Sequence, residues 1–255
     1  MHCRSLQTAL AVACVIASAA RAQSTPDHIA QGMRARETRD VASALKEFEA
    51  ALAIDANNYD ALVNAAECAV ELGEFNANAN QRDTLFRSAE QYARRAVAAN
   101  PNGAEGHFEL AQALGRTALL QGPRDRIKYG IEVRDQALTA LRLDPHHSGA
   151  LHVMGVWNAE VMRLNGFTRM MAKKFLGGKI FDEANWDAAQ SYMERSVAAD
   201  SARIAHRLDL GAVYADRKMR EQAIAQFEWI ARAPVTDFND PHYKERAARK
   251  LKDLK

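Results

Sequence analysis

The chain has 255 residues, of which 48% are apolar and 26% charged, the composition of a folded protein of one or two domains. Its formal net charge is only +2, and Arg4 and Arg21 supply the two extra positive charges. The rest of the chain is therefore neutral, which excludes a general nucleic-acid binder, since that needs a basic surface. With 13 glycines, six prolines and many alanines, the composition favours helices over turn-rich β architectures.

Residues 1–22 have the three parts of a cleavable signal peptide. An arginine lies near the start, residues 6–19 form an apolar stretch too short to span a bilayer, and an Ala-Arg-Ala sequence ends the segment. An N-terminal core helix and lipidation of Cys14 are the alternatives. We therefore predict an exported protein, periplasmic or secreted, of a bacterial envelope, whose mature domain covers residues 23–255.

Residues 26–235 contain an internal repeat with a recurrent spacing. An alanine is followed by an aromatic or apolar residue after four positions, a small residue after three more, and a proline or its substitute after five more. The copies begin at Ala44, Ala89, Val133, Ala189 and Ala223. The pattern predicts helix hairpins, in which small residues such as Gly155 and Gly211 let two helices approach closely. Phe48 and Phe227 are expected to fill the space between the helices.

The periodicity predicts twelve helices. They cover residues 28–37, 41–54, 59–73, 84–99, 104–119, 125–143, 148–164, 168–176, 186–199, 203–217, 220–232 and 240–253. The last helix is strongly charged and suits a terminal cap, because the end of a repeat stack needs a polar outer face. Extra residues around 76–85, 121–128 and 165–184 interrupt the repeat, and we expect such insertions to be functional.

The repeated spacing resembles the tetratricopeptide repeat, a motif of about 34 residues. The resemblance implies an all-α fold, a right-handed superhelical stack of antiparallel helix hairpins. About five repeats and a C-terminal capping helix are expected. In the best-preserved copy, Gly211 and Tyr214 occupy positions that support the packing of the hairpin.

Residues 113–178 carry a closer resemblance. The segment contains ALGRTALLQG at 113–122, LRLDPHHSGALHVMGVW at 141–157 and FLGG at 175–178. These runs resemble the regulator of microtubule dynamics family, with similarity over roughly residues 85–250. The resemblance implies a helical-repeat adaptor, and some members of that family are tethered to membranes or associate with microtubules. Because the leader is of the bacterial export type, we expect the scaffold to carry over but not the cytoskeletal role.

In such a stack, the first helix of each hairpin lines a concave groove. Positions counted from the small residue of each copy predict which side chains face the groove. The predicted partner-binding residues are Glu67, Glu71, Gln112, Arg116, His152 and Glu160. Their charge changes sign along the groove, which suits a protein or peptide partner of mixed charge. A plain solvated face is one alternative, and a structural ion pair between Arg116 and Glu160 is another.

The third and fourth repeats form the expected centre of this surface. Arg116 is expected to hold a carboxylate of the partner, and His152 to donate a hydrogen bond further along the groove. Trp157 and Gly155 are expected to support the site from beneath.

Other classes of function lack their residue patterns. The sequence has no phosphate-binding loop, no nucleophile elbow and no zinc-protease motif, so we predict no enzyme activity and no cofactor. His146, His147 and His152 have no completing carboxylate or cysteine at standard spacing, so no metal is expected. Two alternatives to the adaptor remain. One is a peripheral membrane or envelope-complex component that docks through the amphipathic, basic segment 165–180; the other is a small-ligand binder.

Overall fold

A computed structural model describes residues 24–164 and 181–255. All regular secondary structure within these two ranges is helical, without any strand. The helices are α1 (Thr25–Glu37), α2 (Val41–Ile54), α3 (Tyr59–Glu74), α4 (Ala79–Ala99), α5 (Ala104–Ala118), α6 (Pro123–Leu143), α7 (Ser148–Arg163), α8 (Trp186–Ala199), α9 (Ile204–Asp216), α10 (Arg220–Arg232) and α11 (Asp240–Leu254).

Consecutive helices pack as five hairpins. The pairs are α1 with α2, α3 with α4, α5 with α6, α7 with α8, and α9 with α10. The first helices α3, α5, α7 and α9 also contact one another in sequence, and α11 covers α9 and α10 at the C-terminal end. This arrangement confirms the predicted all-α solenoid of helix hairpins.

Several helices begin at side-chain caps that the sequence supplies. Asp40, Asn58 and Asn185 each accept a hydrogen bond from a backbone N–H in the first turn of α2, α3 and α8. His147 caps α7 in the same way, with Nδ1 accepting from the Ala150 N–H at 3.2 Å. These contacts satisfy donors that a helix N-terminus leaves unpaired, and so they fix where each helix starts.

Two glycines allow the helices of their hairpins to approach closely. A Cβ atom on Gly211 would lie 2.6 Å from Phe227 Cε1, and one on Gly155 would lie 2.6 Å from Met193 Cγ. Both opposing side chains are buried. The sequence predicted this role for both glycines, and it also predicted the aromatic partner of Gly211.

The first two predicted insertions are mostly helical. α4 and α6 have 21 residues each, because α4 begins at Ala79 after the Asn78 cap and α6 begins at Pro123. The extra residues therefore lengthen the second helices of their hairpins and do not form loops. The predicted helix 168–176, the amphipathic segment 165–180 and the leader 1–22 lie outside the described residues. No helix in the described ranges combines the length and apolar character needed to cross a membrane.

Arg39 and Lys218 occupy equivalent turns, between α1 and α2 and between α9 and α10. Both have a positive φ, of 60° and 63° respectively. This left-handed conformation costs a residue with a Cβ atom roughly 1 kcal/mol, whereas glycine adopts it freely.

The substitution Lys218→Gly is therefore expected to raise the free energy of unfolding by about 1 kcal/mol. Thermal or urea denaturation followed by circular dichroism measures the change. Ala215→Gly, within helix α9, is the control and is expected to lower stability by a similar amount. A loss of stability in Lys218→Gly would contradict the prediction.

Candidate functional site: the concave face

Two acidic residues of α3, Glu67 and Glu71, lie one helical turn apart and meet Arg36 of α1. Arg36 Nη2 is 2.7 Å from Glu67 Oε1 and 3.4 Å from Glu71 Oε1. One guanidinium is thus shared by two carboxyls, and Glu67 is the closer. Burial raises the pKa of Glu71 to about 8, and the charge of Glu67 adds to this effect more than Arg36 offsets it.

Cys68 belongs to the same cluster without being a reactive thiol. Arg36 Nη1 donates a hydrogen bond to its sulfur at 3.2 Å. Burial nevertheless raises the pKa of the thiol to about 12, so it stays protonated at neutral pH.

Glu109 of α5 faces this acidic cluster and is fully buried. Neither of its carboxyl oxygens has a hydrogen-bond partner among the described residues. Burial raises its pKa well above the usual range, and repulsion from Glu67 and Glu105 acts in the same direction. Its surroundings therefore favour the protonated form of the Glu109 carboxyl.

Arg116 of α5 connects the second and third repeats. Its Nη2 atom lies 2.9 Å from Glu74 Oε1, and the other oxygen of Glu74 accepts a hydrogen bond from Tyr243 OH at 2.8 Å. Glu160 instead pairs with Arg163 of its own helix at 2.5 Å. The ion pair considered between Arg116 and Glu160 is therefore not the one that the structure forms.

Gln112 lies one turn before Arg116 on the same side of α5. Its side chain is half-buried, and Oε1 is shielded from solvent with no hydrogen-bond partner in the described part of the chain. The predicted groove residues of α5 thus share one face of the helix.

His152 of α7 bridges to the next repeat. Its Nε2 atom is 2.9 Å from Asp209 Oδ2 of α9, and its ring lies 4.8 Å from the ring of His206. Burial, with a smaller contribution from His152, lowers the pKa of His206 to about 2. His206 is therefore neutral, and its buried Nδ1 atom lacks a partner among the described residues.

Trp157 and Tyr214 lie away from the groove. Trp157 Nε1 donates to the Gly130 carbonyl of α6 at 2.7 Å, and the indole ring stacks on Phe181. Tyr214 OH donates to Glu194 Oε1 of α8 at 2.9 Å. Both side chains are buried in the packing between helices, where they hold the first helices that carry the groove residues.

The C-terminal end of the chain covers the concave face of the second repeat. Asn239 Nδ2 donates to the backbone carbonyl of Glu71 at 2.9 Å, and the ring of His242 stacks on Phe75 with centroids 4.5 Å apart. Together with the contact between Tyr243 and Glu74, these interactions close the solenoid on itself. We call residues 235–243 the closing segment.

Side-chain exposure divides the predicted site residues into two groups. Glu71 is 10% exposed and His152 16%, whereas Arg116 is 31% and Glu160 63% exposed. The two most exposed of these side chains, Arg116 on α5 and Glu160 on α7, are therefore the most accessible to a large partner. Glu71 and His152 are more covered.

Sequence reasoning missed Arg36, Glu109 and the closing segment. Glu109 carries a detectable signal, because it lies one helical turn after Glu105 and three residues before Gln112, on the groove face. Within the described ranges, no group of three or more His, Cys, Asp or Glu side chains is placed to hold a metal ion.

Solved structures with the same fold define the class. The chain superimposes with a TM-score of 0.65 on TTC0263, a tetratricopeptide-repeat protein of Thermus thermophilus, at 17% identity, covering 89% of this chain and all of that one. It matches pilF of Pseudomonas aeruginosa with a TM-score of 0.51 at 15% identity, covering 90% and 86% of the two chains. The chain thus has a tetratricopeptide-like fold.

Comparison of the amino-acid sequence identifies the family within this fold class. The model of the family described as regulator of microtubule dynamics protein 1-3 matches residues 22–255, and the chain belongs to this family. Regulator of microtubule dynamics protein 1 of Bos taurus is 24% identical over 179 residues, and that of Homo sapiens is 23% identical over 175. The matches cover 68% and 67% of this chain but 54% of each relative. The chain spans about half the length of these curated relatives.

Proposed function

We propose that this protein is a non-catalytic adaptor of the cell envelope that binds a protein or peptide along its concave face. The observation that carries the proposal is the set of partly exposed ion pairs on α5, α7 and α9, in which charged groups of one repeat are held by the next. A partner can exchange with such pairs, because at least one member of each pair is about a third or more exposed to solvent. The envelope location rests on the signal-like pattern of residues 1–22.

Binding is non-covalent in this proposal. A carboxylate of the partner competes with Glu74 for the guanidinium of Arg116, which can hold it through two parallel hydrogen bonds. His152 offers a donor on the neighbouring helix when it exchanges its bond to Asp209. Apolar burial against Val156, one helical turn after His152 on α7, supplies affinity.

The experiment is a crosslinked pull-down from the native envelope with Arg116→Ala and His152→Ala. We expect each variant to recover about tenfold less partner, with circular dichroism and melting nearly unchanged. Arg142→Ala is the matched control, since Arg142 lies on the second helix α6 and contacts Thr139 of the same helix.

Equal recovery by the wild type and both variants would contradict the proposed surface. If both variants unfold, His152→Gln and Arg116→Lys repeat the comparison with less disturbance. Recovery on anionic liposomes that is insensitive to all of these substitutions would instead favour docking through segment 165–180.

A further inference from the structure

An open pocket of about 260 Å³ lies where the two ends of the solenoid meet. It is bounded by α1, the end of α3, the turn before α9 and the closing segment. Its charged lining consists of three arginines and three acids: Arg36, Arg39, Arg203, Glu71, Asp200 and Asp237. Thr236 and the apolar side chains of Val41, Ala202 and Phe238 complete the wall.

Four of these six charged groups are satisfied within the protein. Arg203 Nη1 lies 2.9 Å from Asp237 Oδ2. Asp200 Oδ1 accepts hydrogen bonds from the backbone N–H groups of Ala202 and Arg203, both at 3.2 Å. Arg36 has Glu67 as its close partner at 2.7 Å.

The other two groups, Arg39 and Glu71, are incompletely paired. Arg39 donates to the Val235 carbonyl at 2.7 Å, and no carboxylate within the described ranges pairs with it. Glu71 is 3.4 Å from a guanidinium nitrogen that already serves Glu67. The pocket therefore presents one cation and one carboxyl, each with capacity for a further partner.

We propose that this pocket binds a free α-amino acid with an apolar side chain. The ligand carboxylate pairs with Arg39, its ammonium group with Glu71, and its side chain packs on Val41 and Phe238. The volume corresponds to about nine water molecules at about 30 Å³ each, which accommodates a molecule of this size. This proposal depends on Arg39 and Glu71, whereas the adaptor proposal is tested at Arg116 and His152, so either proposal can fail without the other.

Proton release distinguishes this mode of binding. Glu71 is faced by Glu67 of its own helix, by Arg36 of α1, and by Arg203 and Asp237 from the loops. Its raised pKa of about 8 means that an arriving ammonium group displaces a proton below that pH. Affinity therefore rises with pH up to about 8.

Isothermal titration of the full chain with L-leucine tests the proposal. We expect saturable binding with a Kd of about 1 mM or tighter. Two analogues probe each end of the ligand: 4-methylpentanoate lacks the ammonium group and leucinamide lacks the carboxylate. Both are expected to bind at least about tenfold more weakly. Titration in buffers of different ionisation heat measures the released proton.

Two variants assign the contacts. Arg39→Gln and Glu71→Gln are each expected to weaken leucine binding at least about tenfold, and Glu71→Gln is also expected to abolish proton release. Lys218→Gln is the matched control, because Lys218 has the same backbone conformation in the equivalent turn but does not line the pocket. The melting temperature of each variant reports whether it is folded.

The absence of saturable leucine binding by the folded wild type would overturn the proposal. So would an analogue that binds as tightly as leucine, since the site would then take a carboxylate or an amine alone. Unchanged leucine affinity in Arg39→Gln, or unchanged proton release in Glu71→Gln, would also overturn it. If Glu71→Gln does not fold, the pH dependence of wild-type affinity decides the role of Glu71.

Discussion

Gly211→Leu is expected to lower the free energy of unfolding by about 3 kcal/mol, the upper end of the usual cost of overpacking. The new side chain enters space now held by Phe227, whose ring is buried 2.6 Å from the Cβ position. A rigid ring between two helices cannot move aside without separating them. Urea denaturation followed by circular dichroism measures the loss.

Two further glycines calibrate this prediction. Gly155→Leu is expected to cost less, about 1 kcal/mol, because Met193 is flexible and can repack. Gly115→Ala is the control: a Cβ atom there meets nothing within 4 Å, so helix propensity alone should raise stability by about 0.5–1 kcal/mol. Unchanged stability in Gly211→Leu would show that the hairpin packing is wrong.

Raising the pH from 6.5 to 8 is expected to lower the free energy of unfolding by about 1.5 kcal/mol through Glu71, and Glu109 acts in the same direction. The pKa of Glu71 is raised from 4.5 to about 8, and that of Glu109 is raised well above 4.5. Between pH 4.5 and the folded-state pKa of each glutamate, the folded state holds a proton that the unfolded state has released. The free energy of unfolding therefore falls as the pH rises. The stability that these two protonated glutamates contribute is fully present below pH 4.5. It is lost as the pH rises through their folded-state pKa values.

His206 acts in the opposite direction at lower pH. Its pKa is lowered from 6.5 to about 2, so its contribution is present above pH 6.5 and declines as the pH falls below that value. The interval above pH 6.5 therefore avoids the range in which His206 changes the stability. Chemical denaturation at several pH values in this interval gives the slope.

Glu71→Gln should make this slope shallower, because one of the two titrating groups is removed. Glu37→Gln is the control, since Glu37 lies exposed in the last turn of α1. Stability that stays constant or rises between about pH 6.5 and 8 would contradict the raised pKa values.

Contacts within one hairpin were the most accessible to sequence reasoning. The spacing that places Gly211 opposite Phe227 recurs in several copies of the repeat. Because each copy predicts the same packing within its hairpin, the copies support one another. The helix extension after Asn78 was missed because it falls outside the repeated spacing. There the asparagine cap, which is local chemistry, decides where α4 begins.

The charge partners of the concave face were less predictable. Arg116 meets Glu74, the last residue of α3, and Glu160 meets Arg163, three residues further along its own helix. The ion pairs therefore do not follow from equivalent positions on neighbouring helices. They depend on which oppositely charged side chains lie within reach of one another in the folded chain. Arg36 of the first repeat pairs with Glu67 of the second, a contact that the repeated spacing does not predict.

The closing segment changes how the chain acquires its structure. In an open repeat array each unit contacts its neighbours, so early repeats can reach their final state as soon as they are made. Here Tyr243 and Glu74 are 169 positions apart, and closing so long a loop is slow and entropically costly. The acidic inner face of α3 is consequently uncovered in every nascent chain until the 15 residues of α11 arrive.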